Sequence, residues 1–244
     1  NDRQLQRNVA IGAFALDGTG AIASTGNIAI GKDAIGGTFA SESTYNVAIG
    51  EQALDANLDD CNYNVAIGRR AATALTTGDA NVAIGPDALY NSTDVDKAVI
   101  VGADAAQGAI TNAADGIIAI GFSALNANTT GTANTVVGYQ AMNVNVDGSY
   151  NTAIGYHALR DFEADSADHG DNTAVGNTAG KFISTGTQNT MIGNKAGLGI
   201  TGTKLTGDGN TCVGASAGLE LEGAAHSNTF VGKAAGNTTE SGVE

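Results

Sequence analysis

Short apolar triplets flanked by Asn and Gly recur along the whole chain. Asn8-Val9-Ala10-Ile11-Gly12 opens the series, Asn228-Thr229-Phe230-Val231-Gly232 closes it, and eleven relatives lie between. Aligned on Gly12, Gly31, Gly50, Gly68, Gly85, Gly102, Gly121, Gly138, Gly155, Gly176, Gly193, Gly214 and Gly232, the copies stand 17 to 21 residues apart. The fourth position is Ile or Val in every copy; the second is Val or Ile in the first seven and Thr in the last six. These β-branched residues predict a strand in each pentapeptide. A period this short predicts a solenoid in which each repeat is one coil and its neighbours complete the core. The expected fold is therefore all-β: a parallel β-solenoid of about 13 coils over residues 8–236, with 1–7 and 237–244 as terminal or linker segments of a single repeat domain.

In a strand, the second and fourth positions share one face and the third points the opposite way. With the β-branched pair taken as the inside, an apolar ladder would stack along the axis at about 4.8 Å per coil. The third position would then face outward. It is occupied by Ala10, Ala29, Ala48, Ala66, Ala83, Ile100, Ala119, Val136, Ala153, Ala174, Met191, Cys212 and Phe230, none of them polar. An outward stripe apolar in every coil would need a cover, and the preponderance of Ala suits close approach of another backbone. The expectation is a cyclic homo-oligomer with this stripe as its interface.

The Asn that opens each pentapeptide fails only at Ala98 and Ile117, which predicts an internal Asn ladder. Each pentapeptide Gly opens a second recurring piece, Gly-x-x-Ala, followed in most copies by Leu or Gly. Ala53-Leu54, Ala88-Leu89, Ala124-Leu125 and Ala158-Leu159 occur early; Ala179-Gly180, Ala196-Gly197 and Ala217-Gly218 occur late. This reads as a turn and a second short strand. The rest of each coil, such as Asn128-Thr129-Thr130-Gly131, is polar and variable in length, so the changes in period fall there.

Composition narrows the function classes. Among 244 residues there are 35 Gly, no Trp and one Pro, Pro86, and only 15% are charged, which fits a turn-rich repeat fold. Length alone would suggest one or two globular domains, whereas the repeat argues for one elongated rod. A net charge of −14 leaves no basic stripe to neutralise phosphates, so nucleic acid and anionic membranes are not expected partners. Cys61 and Cys212 fall in widely separated coils, against a disulfide framework. No run of about eighteen apolar residues predicts membrane insertion, and Asn1-Asp2-Arg3-Gln4-Leu5 does not read as a secretion signal.

The repeated Asn-Val/Thr-Ala-Ile-Gly, followed by a small-residue segment, resembles the head repeats of trimeric autotransporter adhesins and related repeats in phage tail fibres. The resemblance covers residues 8 to about 236. It implies a left-handed parallel β-roll wound as a parallel homotrimer, located extracellularly, on a cell surface or in a virion tail fibre. The coil is longer than in adhesin heads. Gly138-Tyr139-Gln140-Ala141 and Gly155-Tyr156-His157-Ala158 are instead similar to tail-fibre and large surface-protein repeats. The resemblance favours attachment over catalysis and does not choose between virion and cell surface.

Several side chains are candidates for sites. Phe122, Tyr139 and Tyr156 directly follow Gly in three successive coils, where stacked rings could meet a surface glycan or protein receptor or could simply cover a turn. Asp161, Glu163, Asp165, Asp168 and Asp171 suggest a calcium loop by spacing. Ser166 stands where the sharp-turn Gly belongs and Asn172 where the bidentate Glu belongs, so a solvated acidic loop is the simpler reading. His157, His169 and His226 lack the spacing of a zinc site or a catalytic group, and no metal, cofactor or catalytic residue is assigned. The sequons at Asn91, Asn128 and Asn237 are the matches expected by chance in an Asn- and Thr-rich chain.

The expected function is a non-enzymatic trimeric fibre or head segment that attaches to a cell or host surface. A filament subunit or spacer without a ligand is the alternative. A hexapeptide-type acyltransferase is imitated by Ile11-Gly12-Ala13-Phe14-Ala15-Leu16, but the next two hexads begin with Asp17 and Ala23. An ice-binding solenoid would need its Thr column outward, the reverse of the facing adopted above.

Overall fold

The computed structural model describes residues 5–19, 22, 24–111, 114–164 and 170–237. The chain is an all-β parallel β-solenoid of about 12 turns with roughly 18 residues per coil. It comprises two compact units, Asn1–Ile117 and Ile118–Glu244.

The first unit begins with β1 (Leu5–Gln6), β2 (Val9–Ile11), a 3-10 turn at Asp17–Thr19 and β3 (Ser24–Thr25). Then come β4 (Ile28–Ile30), β5 (Val47–Ile49), β6 (Val65–Ile67), β7 (Val82–Ile84) and β8 (Val99–Val101). Strands β2 and β4 to β8 pair in chain order, all parallel and in register, so that Val47 lies beside Val65 and Ala48 beside Ala66. A second, two-stranded pairing joins β1 and β3. The second unit repeats the plan with β9 (Ile118–Ile120), β10 (Thr135–Val137), β11 (Thr152–Ile154), β12 (Thr173–Val175), β13 (Thr190–Ile192), β14 (Thr211–Val213) and β15 (Thr229–Val231).

The pentapeptide Gly ends each strand for two reasons. Its φ lies near +135° in coil after coil, as at Gly50 (+138°) and Gly68 (+133°), a region that side chains strongly disfavour. A Cβ on Gly50 would also sit 2.5 Å from the carbonyl oxygen of Gly68 in the next coil. A β-turn follows, with Ala53 N–H donating to Gly50 O (3.3 Å) and Gln52 at φ +56°.

The Asn ladder forms as expected. In the first unit the backbone N–H groups of Asn46, Asn64 and Asn81 donate to the Oδ1 atoms of Asn27, Asn46 and Asn64, at 2.9 Å each. Each amide Nδ2 donates to a carbonyl of the following coil, as Asn64 does to Gly78 O at 2.7 Å. Asn134, Asn151, Asn172, Asn189, Asn210 and Asn228 build the second unit's ladder through the same backbone N–H to Oδ1 bonds, although the Nδ2 groups of Asn151 and Asn228 donate within their own coil, to Ser149 O and His226 O. The ladder lapses at Ala98 and Ile117, both fully buried, although Ala98 N–H still donates to Asn81 Oδ1 at 2.9 Å.

The facing of the strands is the reverse of the expectation. Ala29, Ala48, Ala66, Ala83, Ile100, Ala119, Val136, Ala153, Ala174, Met191 and Cys212 are buried inside the coil of a single chain, so they form no outward stripe between chains. In the outermost strands, Ala10 is exposed and Phe230 half-buried. The second and fourth positions point out instead. The physical reason is parity: Asn at position one shares a face with position three, and a buried amide ladder takes position three inside with it.

The interior also balances its volumes. At Ala48, Ala83, Ala119 and Ala153 the residue six places on is a buried Leu, Leu54, Leu89, Leu125 or Leu159, whereas Ala66 and Ala174 are followed there by Ala72 and Gly180. Where position three is Met191 or Cys212, that place is Gly197 or Gly218. A Cβ on Gly197 would overlap Met191 Sδ, and one on Gly218 would lie 2.5 Å from Cys212 Sγ.

Candidate functional site

Two kinds of surface stand out: the outward strand face and the ring stacks that border it. In the first unit the outward face carries two apolar columns, Val9, Ile28, Val47, Val65, Val82 and Val99 beside Ile11, Ile30, Ile49, Ile67, Ile84 and Val101. In the second unit β9 continues that pattern, and from β10 one column becomes Thr135, Thr152, Thr173, Thr190, Thr211 and Thr229. Val137, Ile154, Val175, Ile192, Val213 and Val231 form the other. These residues are half-buried or exposed: each covers its neighbours along the column and leaves its outer side to solvent. Water-facing β-branched residues in register are the kind of apolar surface that a soluble chain seldom leaves uncovered. Sequence reasoning placed these residues in the core; the signal that identifies them is the parity of the buried Asn.

The structure brings Phe122, Tyr139 and Tyr156 together as a ladder. Ring centroids are 5.3 Å apart in both steps, with interplanar angles of 15° and 11°. The rings are 43–48% exposed, but their faces are largely spent on one another. A sugar that stacks on an aromatic face would find ring edges and phenol groups over most of this ladder. His157 leans against Tyr156 with centroids 3.9 Å apart, and its Nε2 lies 3.0 Å from Gln140 Oε1. Burial, and then the charges of Arg160 and Lys181, hold its pKa below the ordinary value.

A second stack was not singled out from sequence. Tyr45 and Tyr63 each directly precede the ladder Asn of their coil, and their rings stack at 5.4 Å and 6° with both rings largely exposed. The signal was a Tyr-Asn dipeptide repeated in adjacent coils.

The acidic segment does not gather into a cation site among the described residues. Asp161 is bound by Arg160, with Nε to Oδ1 at 2.6 Å and Nη2 to Oδ2 at 3.1 Å. Asn172 is committed to the buried ladder, accepting from Asn189 and donating to Gly186 O. Asp165, Ser166, Asp168 and His169 lie outside the described residues. No group of three or more His, Cys, Asp or Glu that could hold a metal occurs among the described residues. A different acidic column does form: Asp79 Oδ1 accepts from Asn62 N–H (2.6 Å), Asp96 Oδ1 from Asp79 N–H (2.7 Å) and Asp115 Oδ1 from Asp96 N–H (2.9 Å). Burial raises the pKa of Asp79, and the nearby Asp96 and Asp60 add to the shift.

Cys61 and Cys212 are free and buried, and burial pushes both thiols up to about 12. Asn128 is fully buried and donates to Gly131 O, so it offers no acceptor for a glycan, whereas Asn91 is exposed. Thr238 and Thr239 of the third sequon lie outside the described residues. No described helix is long and apolar enough to cross a membrane. No protein-family model, curated protein or solved structure matches the chain.

Proposed function

We propose that the chain is a non-enzymatic, extracellular fibre or head segment that assembles with parallel copies of itself and serves attachment to a cell or host surface. The observation that carries this reading is the outward apolar face of the strands, with Val65, Ile67, Val82 and Ile84 turned to solvent in one chain. Copies stacked in parallel would present the same one-coil spacing to each other, so every column meets a column along the whole unit. The resemblance of the pentapeptide to adhesin-head and tail-fibre repeats favours three copies and an attachment role. The receptor, a glycan or a protein, would meet the variable loops and the edges of the ring ladder at Phe122, Tyr139 and Tyr156.

The test is light scattering on the purified protein together with two substitutions in one coil. Ile67→Arg adds a charge to the outward face and should yield a folded monomer. Ala66→Arg puts the charge inside the coil and should unfold it. A wild-type monomer at all concentrations, or an Ile67→Arg protein that assembles normally, overturns the reading.

The outward Thr column of the second unit favours a second reading, in which a regular Thr and Ile/Val surface binds ice. Thermal hysteresis in a monomeric preparation would support that reading, and its absence would dispose of it.

A further inference from the structure

The two tyrosine stacks carry a chemical consequence independent of how copies assemble. Tyr45 and Tyr63, and likewise Tyr139 and Tyr156, are held one coil apart with near-parallel rings at 5.4 and 5.3 Å. The backbone holds the first pair in place, since Tyr45 N–H donates to Thr25 O at 3.1 Å and Tyr63 N–H to Thr44 O at 3.0 Å. All four rings are between 44% and 62% exposed.

The rest of the described molecule leaves these four phenols and Tyr150 as the accessible targets of one-electron oxidation. There is no Trp. Met142 and Met191 are fully buried, as are Cys61 and Cys212, whose thiols stay protonated. Tyr90 lies beneath the guanidinium of Arg70, 4.8 Å from its ring centroid.

We propose that Tyr45–Tyr63 and Tyr139–Tyr156 are sites of oxidative cross-linking, each pair joined within one chain by an oxidant of the haem-peroxidase class acting with hydrogen peroxide. Each phenol gives up one electron and one proton, and the two phenoxyl radicals join through ring carbons ortho to oxygen. Each coupled ring is then a dienone, whose ortho hydrogen leaves as a proton while its carbonyl oxygen takes one up, restoring two aromatic phenols. The balance is two phenols and one peroxide to one biphenol and two waters, a loss of two hydrogens from the chain. The new bond ties adjacent coils where the sheet has only hydrogen bonds.

Tyr150 is the internal control. It is 56% exposed, but the coils on either side carry Ala133 and Asp171 at its position.

The experiment treats the folded full chain, at low concentration, with a haem peroxidase and hydrogen peroxide. Dityrosine fluorescence, denaturing electrophoresis and mass-spectrometric peptide mapping are then read. The expected result is a single-chain product carrying 45–63 and 139–156 links, each lighter by two hydrogens, with a urea midpoint above that of the untreated protein. Tyr63→Phe should lose the first link and keep the second, the second reporting that the fold survives. In urea the selectivity should vanish. Links at Tyr150 in comparable yield, links mainly between chains, or tyrosine consumed without any 45–63 or 139–156 link would overturn the proposal.

Discussion

Exchanging Met191 and Gly197 for the Ala and Leu found at Ala153 and Leu159 tests whether the volumes at these two places are coupled. Met191 is fully buried, and the space a side chain at Gly197 would need is occupied by its sulfur. Met191→Ala alone leaves a cavity and should cost about 2–5 kcal/mol. Gly197→Leu alone overpacks the coil at about 1–3 kcal/mol, plus about 1–2 kcal/mol for a side chain at φ +50°. The double variant recreates the arrangement of Ala153 and Leu159, where a Leu already sits at φ +47°. It should therefore be destabilised less than the sum of the singles by about 2 kcal/mol, near the upper range of coupling for touching residues. Urea unfolding followed by circular dichroism measures all three. A double variant within about 0.5 kcal/mol of the additive sum would refute the volume argument.

Three further perturbations address the backbone, the amide ladder and pH. Gly68→Ala combines φ +133° with a Cβ 2.6 Å from Gly85 O, and should lose more than about 2 kcal/mol; Gly116→Ala, at φ +72° with nothing within 4 Å, should lose only about 1, and equal losses in thermal melts would show that coil spacing does not matter. Asn64→Ala leaves the Asn81 backbone and side-chain donors without their acceptor and should cost about 2–4 kcal/mol in urea unfolding; a loss below about 0.5 would mean the ladder is dispensable. Asp79 has a raised folded pKa, so folding favours its neutral form: its unfavourable contribution is complete above the raised value and vanishes as pH falls to the ordinary 3.8. Asp79→Asn keeps the acceptor for Asn62 N–H, so it should raise the melting temperature at neutral pH and leave it little changed in acid; an equal shift at both would contradict the assignment.

Much of the fold was legible in the residues. The pentapeptide alone implied short parallel strands in register, and β2 and β4 to β15 fall on its triplets. Asn27 to Asn81 could be recognised as an amide ladder because Asn combines tolerance of turns with a two-sided hydrogen-bonding group. The candidate surfaces were less legible. Phe122, Tyr139 and Tyr156 did stack as their spacing implied, but that stacking takes up the ring faces a sugar would need. Tyr45 and Tyr63 escaped notice because they sit before the strand, at φ +58° and +60°, where a bulky side chain is unusual.

By itself the sequence determined the coil, its period, the strand in each repeat and the glycine that ends it, because these depend on local geometry and on repetition. The facing of the strand was decided only in three dimensions. Both sides of Val65-Ala66-Ile67 are apolar, so alternation separates two faces without saying which is inside. The closed coil resolves this through volume and hydrogen bonding: its interior has room for Ala66 and the Asn64 amide, and the larger Val65 and Ile67 are left outside.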